Sequence, residues 1–169
     1  MKKLMLSIFA IAAFGFSVSA ENNTAKVSDA TAGGEIVAPI TLTNGGTVLE
    51  FGRIARGASG TGTITILPAS GDQTATAAVS GVDRVLGVTR QATAFTVGGQ
   101  VGLAYGVTLP ANGSAFAAGI TIDYSHSATG TIAIAGGDVF YVGGTLHIDN
   151  ATAQVGAYTK TFEVTVTYN

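Results

Sequence analysis

Few residues in this chain are equipped for chemistry, and their spacing decides what they can do. There are two histidines, His126 and His147, and no cysteine. His147 and Asp149 stand two apart at the end of an alternating stretch, a spacing that puts both on one face of a strand. His126 sits in a Ser125-His126-Ser127 turn shortly after Asp123. Two imidazoles and a carboxylate form a set that can ligate a transition metal. Such a site needs the His126 turn folded beside the end of the His147 strand. Nothing in the sequence fixes that approach, and two solvated surface histidines is the plainer reading. A nucleophilic serine needs a base and a shaped turn, yet no Gly-x-Ser-x-Gly elbow occurs. Gly57-Ala58-Ser59-Gly60-Thr61 misses the spacing by one residue. Gly60-Thr61-Gly62 is like half of a phosphate loop, but neither a lysine nor a helix follows it. Asp83-Arg84 and the Arg53/Arg56 pair read as loop salt bridges or solubilising charges. Asn22, Asn112 and Asn150 each begin an Asn-x-Ser/Thr triplet, a short pattern expected to be a coincidence here. The expectation is a protein that is not an enzyme, with no cofactor and no metal.

Composition points the same way. The 169 residues allow one domain. Only 11% are charged, against about 25% in an ordinary soluble domain. A net charge of −2 supplies no cluster of Lys and Arg to neutralise phosphates, so nucleic acid is not an expected partner. An apolar share of 47% argues against disorder. With no cysteine, neither a disulfide scaffold nor a thiolate metal site can form.

The N-terminus reads as an address. Met1-Lys2-Lys3 is basic, Leu4 to Val18 is almost wholly apolar, and Val18-Ser19-Ala20 supplies small residues before Glu21. That is the order of a signal peptide, with cleavage between Ala20 and Glu21. The apolar stretch, about 15 residues, is shorter than the roughly 20 needed to span a bilayer. Residues 1–20 are thus expected to be a signal peptide, and no later segment could cross a membrane as a helix. The mature chain is expected in the periplasm, on the cell surface or outside the cell. Residues 21–33 carry one large apolar side chain, Val27, and read as a flexible extension.

From residue 34 to residue 169 the hydrophobic period is two, not 3.6. Ile36, Ala38, Ile40 and Leu42 alternate, and Leu49 and Phe51 begin another row. Ile64 and Ile66 alternate with Thr63 and Thr65. Val101 to Leu109 forms one row, and Phe116, Ala118, Ile120 and Ile122 form the next. Phe140, Val142, Leu146 and Ile148 are a further row, with Gly144 in the fifth place. Tyr158, Phe162, Val164, Val166 and Tyr168 close the chain. Gly- and Asn-rich turns such as Asn44-Gly45-Gly46 and Pro110-Ala111-Asn112-Gly113 separate the rows. One apolar face per strand predicts an all-β fold: a single-domain, immunoglobulin-like antiparallel β-sandwich over 34–169.

Two resemblances give this sandwich a meaning. Alternating apolar residues at the C-terminus, a penultimate tyrosine (Tyr168) and a glycine fourteenth from the end (Gly156) are similar to the terminal pattern of chaperone–usher pilus subunits. That resemblance implies an incomplete sandwich with a groove beside its last strand. A periplasmic chaperone fills the groove first, and the N-terminal extension of a like subunit fills it afterwards. Separately, Val37-Ala38-Pro39-Ile40-Thr41-Leu42, Leu49-Glu50-Phe51-Gly52-Arg53-Ile54, Phe140-Tyr141-Val142-Gly143-Gly144-Thr145-Leu146 and Phe162 to Asn169 resemble the bacterial domain-of-unknown-function family DUF4402. Its layout is similar to spore-coat-U-like subunits of archaic pili. Together they imply an exported structural subunit of a surface filament or coat that assembles by β-strand addition. The expected strand-exchange edge comprises Gly156, Phe162, Val164, Val166 and Tyr168, with Val37, Ile40 and Leu42 packed near it. The donor is either residues 21–33 or the Ile36–Leu42 strand. The alternative is a self-complete secreted binding module, an adhesin or glycan binder that does not polymerise.

Overall fold

A computed structural model describes residues 28–74 and 77–169. The chain divides into two units, Met1–Glu35 and Ile36–Asn169. In the first, the described residues 28–35 are exposed and form neither helix nor strand. The expected signal peptide and its Ala20–Glu21 junction lie outside the described residues. In the second unit every regular element is a strand: β1 (Thr41–Asn44), β2 (Ile54–Arg56), β3 (Thr61–Ile66), β4 (Ala78–Ser80), β5 (Val82–Arg84), β6 (Thr93–Gly98), β7 (Tyr105–Thr108), β8 (Ser114–Ala117), β9 (Ile120–His126), β10 (Asp138–Asp149) and β11 (Thr165–Tyr168). Among the described residues no helix is long and apolar enough to cross a membrane. The fold is all-β and every strand pair is antiparallel, as the alternation requires.

The twelve-residue strand β10 organises the unit. Along one edge it pairs with β9 from Val142 to Ile148. Its other edge is taken in succession by β6, opposite Asp138–Val142, and by β3, opposite Gly144–Asp149. The changeover falls at Gly143. A Cβ there would collide with the Ile66 carbonyl oxygen and lie 2.7 Å from the Leu67–Pro68 backbone. Glycine is therefore needed where β3 departs, and Pro68 cannot continue the ladder. β1 extends the sheet beyond β6, β4 extends it beyond β3, and β8 extends it beyond β9.

The inward face of β10 feeds two apolar clusters. Leu146 and Ile148 join Ile64, Ile66, Ile120, Ile122, Phe51 and Val82, and the β2–β5 ribbon covers this end through Ile54 and Val82. Phe140 and Val142 join Phe95, Val97, Tyr105 and Ile132, and the β7–β11 ribbon covers that end. Phe95 and Phe140 stack with ring centroids 5.6 Å apart. Ile64, Ile66, Val97, Phe140 and Val142 are wholly withdrawn from water. Each such side chain contributes roughly 1.5–3 kcal/mol.

Several expected rows are divided. The Phe116–Ile122 row is a hairpin, because the chain turns at Ala118-Gly119. Gly119 adopts φ +70°, and a Cβ on it would sit 2.7 Å from the Ala153 nitrogen. The Val101–Leu109 row is a strand only from Tyr105, since residues 99–102 form a turn. The first strand begins at Thr41, leaving Ile36 fully exposed. The last is a ladder only over Thr165–Tyr168.

Candidate strand-addition face

The residues that could do chemistry do not converge. His147 Nε2 lies 2.9 Å from Asp123 Oδ2 across the β9–β10 ladder. Asp123 also accepts the Gly113 amide at 2.6 Å, and these two donors, Gly113 foremost, hold its carboxyl below the usual carboxylate range. His126 is opposite Val142, whereas His147 is opposite Thr121. Five residues of ladder, roughly 17 Å along the strands, separate their backbone positions. His126 instead presents its ring to Phe140 edge-on, with centroids 6.3 Å apart. Asp149 accepts the Ala151 amide at 3.0 Å and the Thr152 hydroxyl at 2.7 Å, and the hydroxyl is the main cause of its lowered pKa. Among the described residues no group of three or more His, Cys, Asp or Glu side chains could hold a metal ion.

Three arginines serve the main chain. Arg56 donates to the carbonyls of Asn150 and Ala153 at 3.1 and 2.8 Å, and Arg84 donates to that of Ala77 at 3.1 Å. Arg90 is completely buried and donates to the carbonyls of Arg53, Val85 and Val88. Asn150, one of the Asn-x-Thr positions, is also buried. It accepts from Gly57 N and donates to Gly81 O, each at 3.0 Å.

A different arrangement appears at the β7–β11 end. Ile40 and Leu42 of the β1 segment and Phe162, Val164, Val166 and Tyr168 of the C-terminal segment pack, half-buried, on the same cluster. Phe162 meets Tyr124 with ring centroids 4.7 Å apart. Val37 stays exposed outside this cluster, and Gly156 is exposed with only the Tyr158 side chain within 4 Å of a Cβ built on it. The structure thus groups six of the eight expected edge residues and leaves Val37 and Gly156 apart.

The main chain here is incompletely paired. Among the described residues, β1 forms a ladder only with β6, and β11 only with β7. Parity assigns the remaining groups. The Gly45 amide reaches Ala94 O at 2.8 Å, so alternate residues from Gly45 back to Thr41 face β6. The main-chain groups of Ala38, Ile40, Leu42 and Asn44 therefore face the open side. Likewise the Asn169 amide reaches Ala104 O at 3.2 Å, and Thr165 and Thr167 face β7. Phe162, Val164, Val166 and Tyr168 present their main-chain groups away from it. Between residues 155 and 164 no backbone hydrogen bond joins the segment to the other described residues. At the far end Tyr168 closes the arrangement: its hydroxyl accepts from Gln100 N at 2.8 Å and donates to Ala38 O at 2.9 Å.

The sequence signal for this face was the terminal alternation itself. The hydroxyl bridge has no such signal, since its partners are main-chain atoms. The buried Arg90 has none either, because arginine is ordinarily a surface residue.

No curated protein and no solved structure matches the chain significantly. Residues 40–168 do match a family described as a domain of unknown function, DUF4402, a match that runs from Ile40 to Tyr168. The chain accordingly belongs to the DUF4402 family.

Proposed function

We propose that this chain is an exported structural subunit of a bacterial surface filament or coat, joined to its neighbours by β-strand addition. One observation carries the reading. Phe162 and Val164 alternate inward on a segment whose backbone lacks partners among the described residues, opposite a β1 edge in the same condition. A strand added along either edge would gain main-chain hydrogen bonds, and its alternate side chains would pack on the half-buried cluster. Left unfilled, two such edges favour aggregation. The partner is a like subunit, preceded by a periplasmic chaperone. The donor is residues 21–33 of another copy; the Ile36–Leu42 stretch, the other expected donor, is held by its own copy through the β1–β6 ladder and the Ile40 and Leu42 packing.

The test is negative-stain electron microscopy of producing cells labelled with an antibody against residues 21–169. Wild-type cells should carry label along thin fibres. Val164→Asp puts a charge into the acceptor row; it should abolish the fibres while the variant is still exported with its β-type circular dichroism. Normal fibres from Val164→Asp would refute strand addition. A purified wild-type chain that remains a stable monomer would favour a self-complete binding module.

A further inference from the structure

We infer that Asn112-Gly113 is a site of spontaneous deamidation that the Asp123 carboxylate holds shut. The chain contains two Asn-Gly pairs, Asn44-Gly45 and Asn112-Gly113. Both are exposed, and a following glycine has no side chain to hinder attack on the asparagine. The reaction needs only water. The Gly113 nitrogen gives up its proton and bonds to Asn112 Cγ. The side-chain nitrogen is expelled and leaves with that proton as ammonia. Water then opens the cyclic imide at either carbonyl, giving aspartate or isoaspartate.

The fold blocks the first step. The attacking nitrogen donates to Asp123 Oδ1 at 2.6 Å, so that bond must break before the nitrogen can turn on Asn112. Asp123 is a poor base, because the Gly113 amide and then His147 hold its carboxyl below the usual carboxylate range. It does not take the proton, and its charge opposes an amide anion beside it. His147 Nε2, 2.9 Å from Oδ2, occupies the other carboxylate oxygen and leaves Oδ1 to Gly113. The second pair is guarded differently. Gly45 donates to the Ala94 carbonyl at 2.8 Å, as a continuation of the β1–β6 ladder. One guard is a single side chain, and the other is the sheet itself. Conversion at Asn112 would set a new carboxylate at the entry to β8. Isoaspartate would also lengthen the main chain by a methylene just before the Ser114–Ile122 pairing.

Peptide mapping by mass spectrometry, with an isoaspartate assay, reads the two sites separately in the full chain kept in neutral buffer. Folded wild type should convert Asn112 about tenfold or more slowly than the same chain in guanidinium chloride. Asp123→Ala should raise the folded-state rate at Asn112 about tenfold or more and leave Asn44 unchanged. Asp123→Asn keeps an acceptor oxygen and should stay slower than Asp123→Ala. Asn44 reports on the fold in every sample. Acceleration at both sites would assign the protection to the fold at large and overturn the role of Asp123. An unchanged Asn112 rate in Asp123→Ala, equal rates in Asp123→Asn and Asp123→Ala, or a folded wild type as fast as the unfolded chain would overturn it too.

Discussion

Tyr105 shows how much a single polar atom can couple to folding in this protein. Its ring is buried in the second cluster, and its hydroxyl donates to Asp138 Oδ2 at 2.8 Å, an oxygen that also accepts from Thr129. Burial, reinforced by the neighbouring carboxylate, pushes the phenol up to about 12. The folded state therefore favours the neutral phenol. Its contribution is complete below the ordinary tyrosine value near 10 and is lost as pH rises from there to about 12. Urea midpoints should fall across that window, and Tyr105→Phe should flatten the slope; an unchanged slope would place its origin elsewhere. At the acid end the sign reverses. Donors hold the carboxyls of Asp72, Asp123 and Asp149 below their usual value, chiefly the Thr74 hydroxyl for Asp72. Their support is present at neutral pH and disappears as they protonate. None of this polar detail could be read from the sequence. Gln73, Arg90 and Asn150 are buried because loop carbonyls and amides converge on them, and which loops converge is decided by long-range pairing.

At the scale of elements, what the sequence displayed was period, and period survived wherever a strand is buried along its whole length. The Phe140–Ile148 row and the Ile64–Ile66 row are strands with the expected inward faces, and Phe162–Tyr168 keeps its alternation although only part of it is laddered. Period could not reveal breaks made by backbone geometry: the two-residue turn at Ala118-Gly119 shifts the parity of the row by one, and the bulge between Ala115 and Ala117 shifts it back. The Gly144 vacancy was visible as a gap in a row, but its neighbour Gly143 looked like spacing, and its role at the β6-to-β3 changeover appears only once Leu67 and Pro68 lie against it. Gly143→Ala should therefore cost about 1–3 kcal/mol, since a methyl there must push a paired backbone aside. Gly136→Ala makes a fair comparison, because nothing lies within 4 Å of a Cβ there and its cost comes only from its φ of +103°. Equal losses in thermal unfolding of the two variants would remove the changeover argument.

For the whole molecule, the two apolar clusters share one strand, so neither end has a sheet of its own. Ile66→Ala, in the first cluster, should cost roughly 2–5 kcal/mol. It should also raise exchange at Val97 in the second cluster as much as at Ile122 in the first. Loss confined to Ile122 would mean that the ends open separately. Both ends retain half-buried side chains, among them Leu49, Ile54 and Phe116 at the first and Ile40 to Tyr168 at the second. Val164 lies in the second set, on the segment without backbone partners among the described residues, so Val164→Asp should abolish the proposed assembly without unfolding the subunit.

The position of β10 also sets a timetable. Thr65 and Thr145, whose hydroxyls meet at 2.8 Å, are 80 positions apart in the chain. β6 and β9 likewise wait for β10 to supply their central neighbour. A polypeptide emerging amino end first from a ribosome or an export channel has released β1 through β9 before the strand that unites them arrives. Until residue 149 is free, the β1–β6, β3–β4 and β8–β9 pairs lack the strand that joins them into one sheet. The last strand to emerge, β11, which among the described residues forms a ladder only with β7, arrives when the rest of the sheet is already in place.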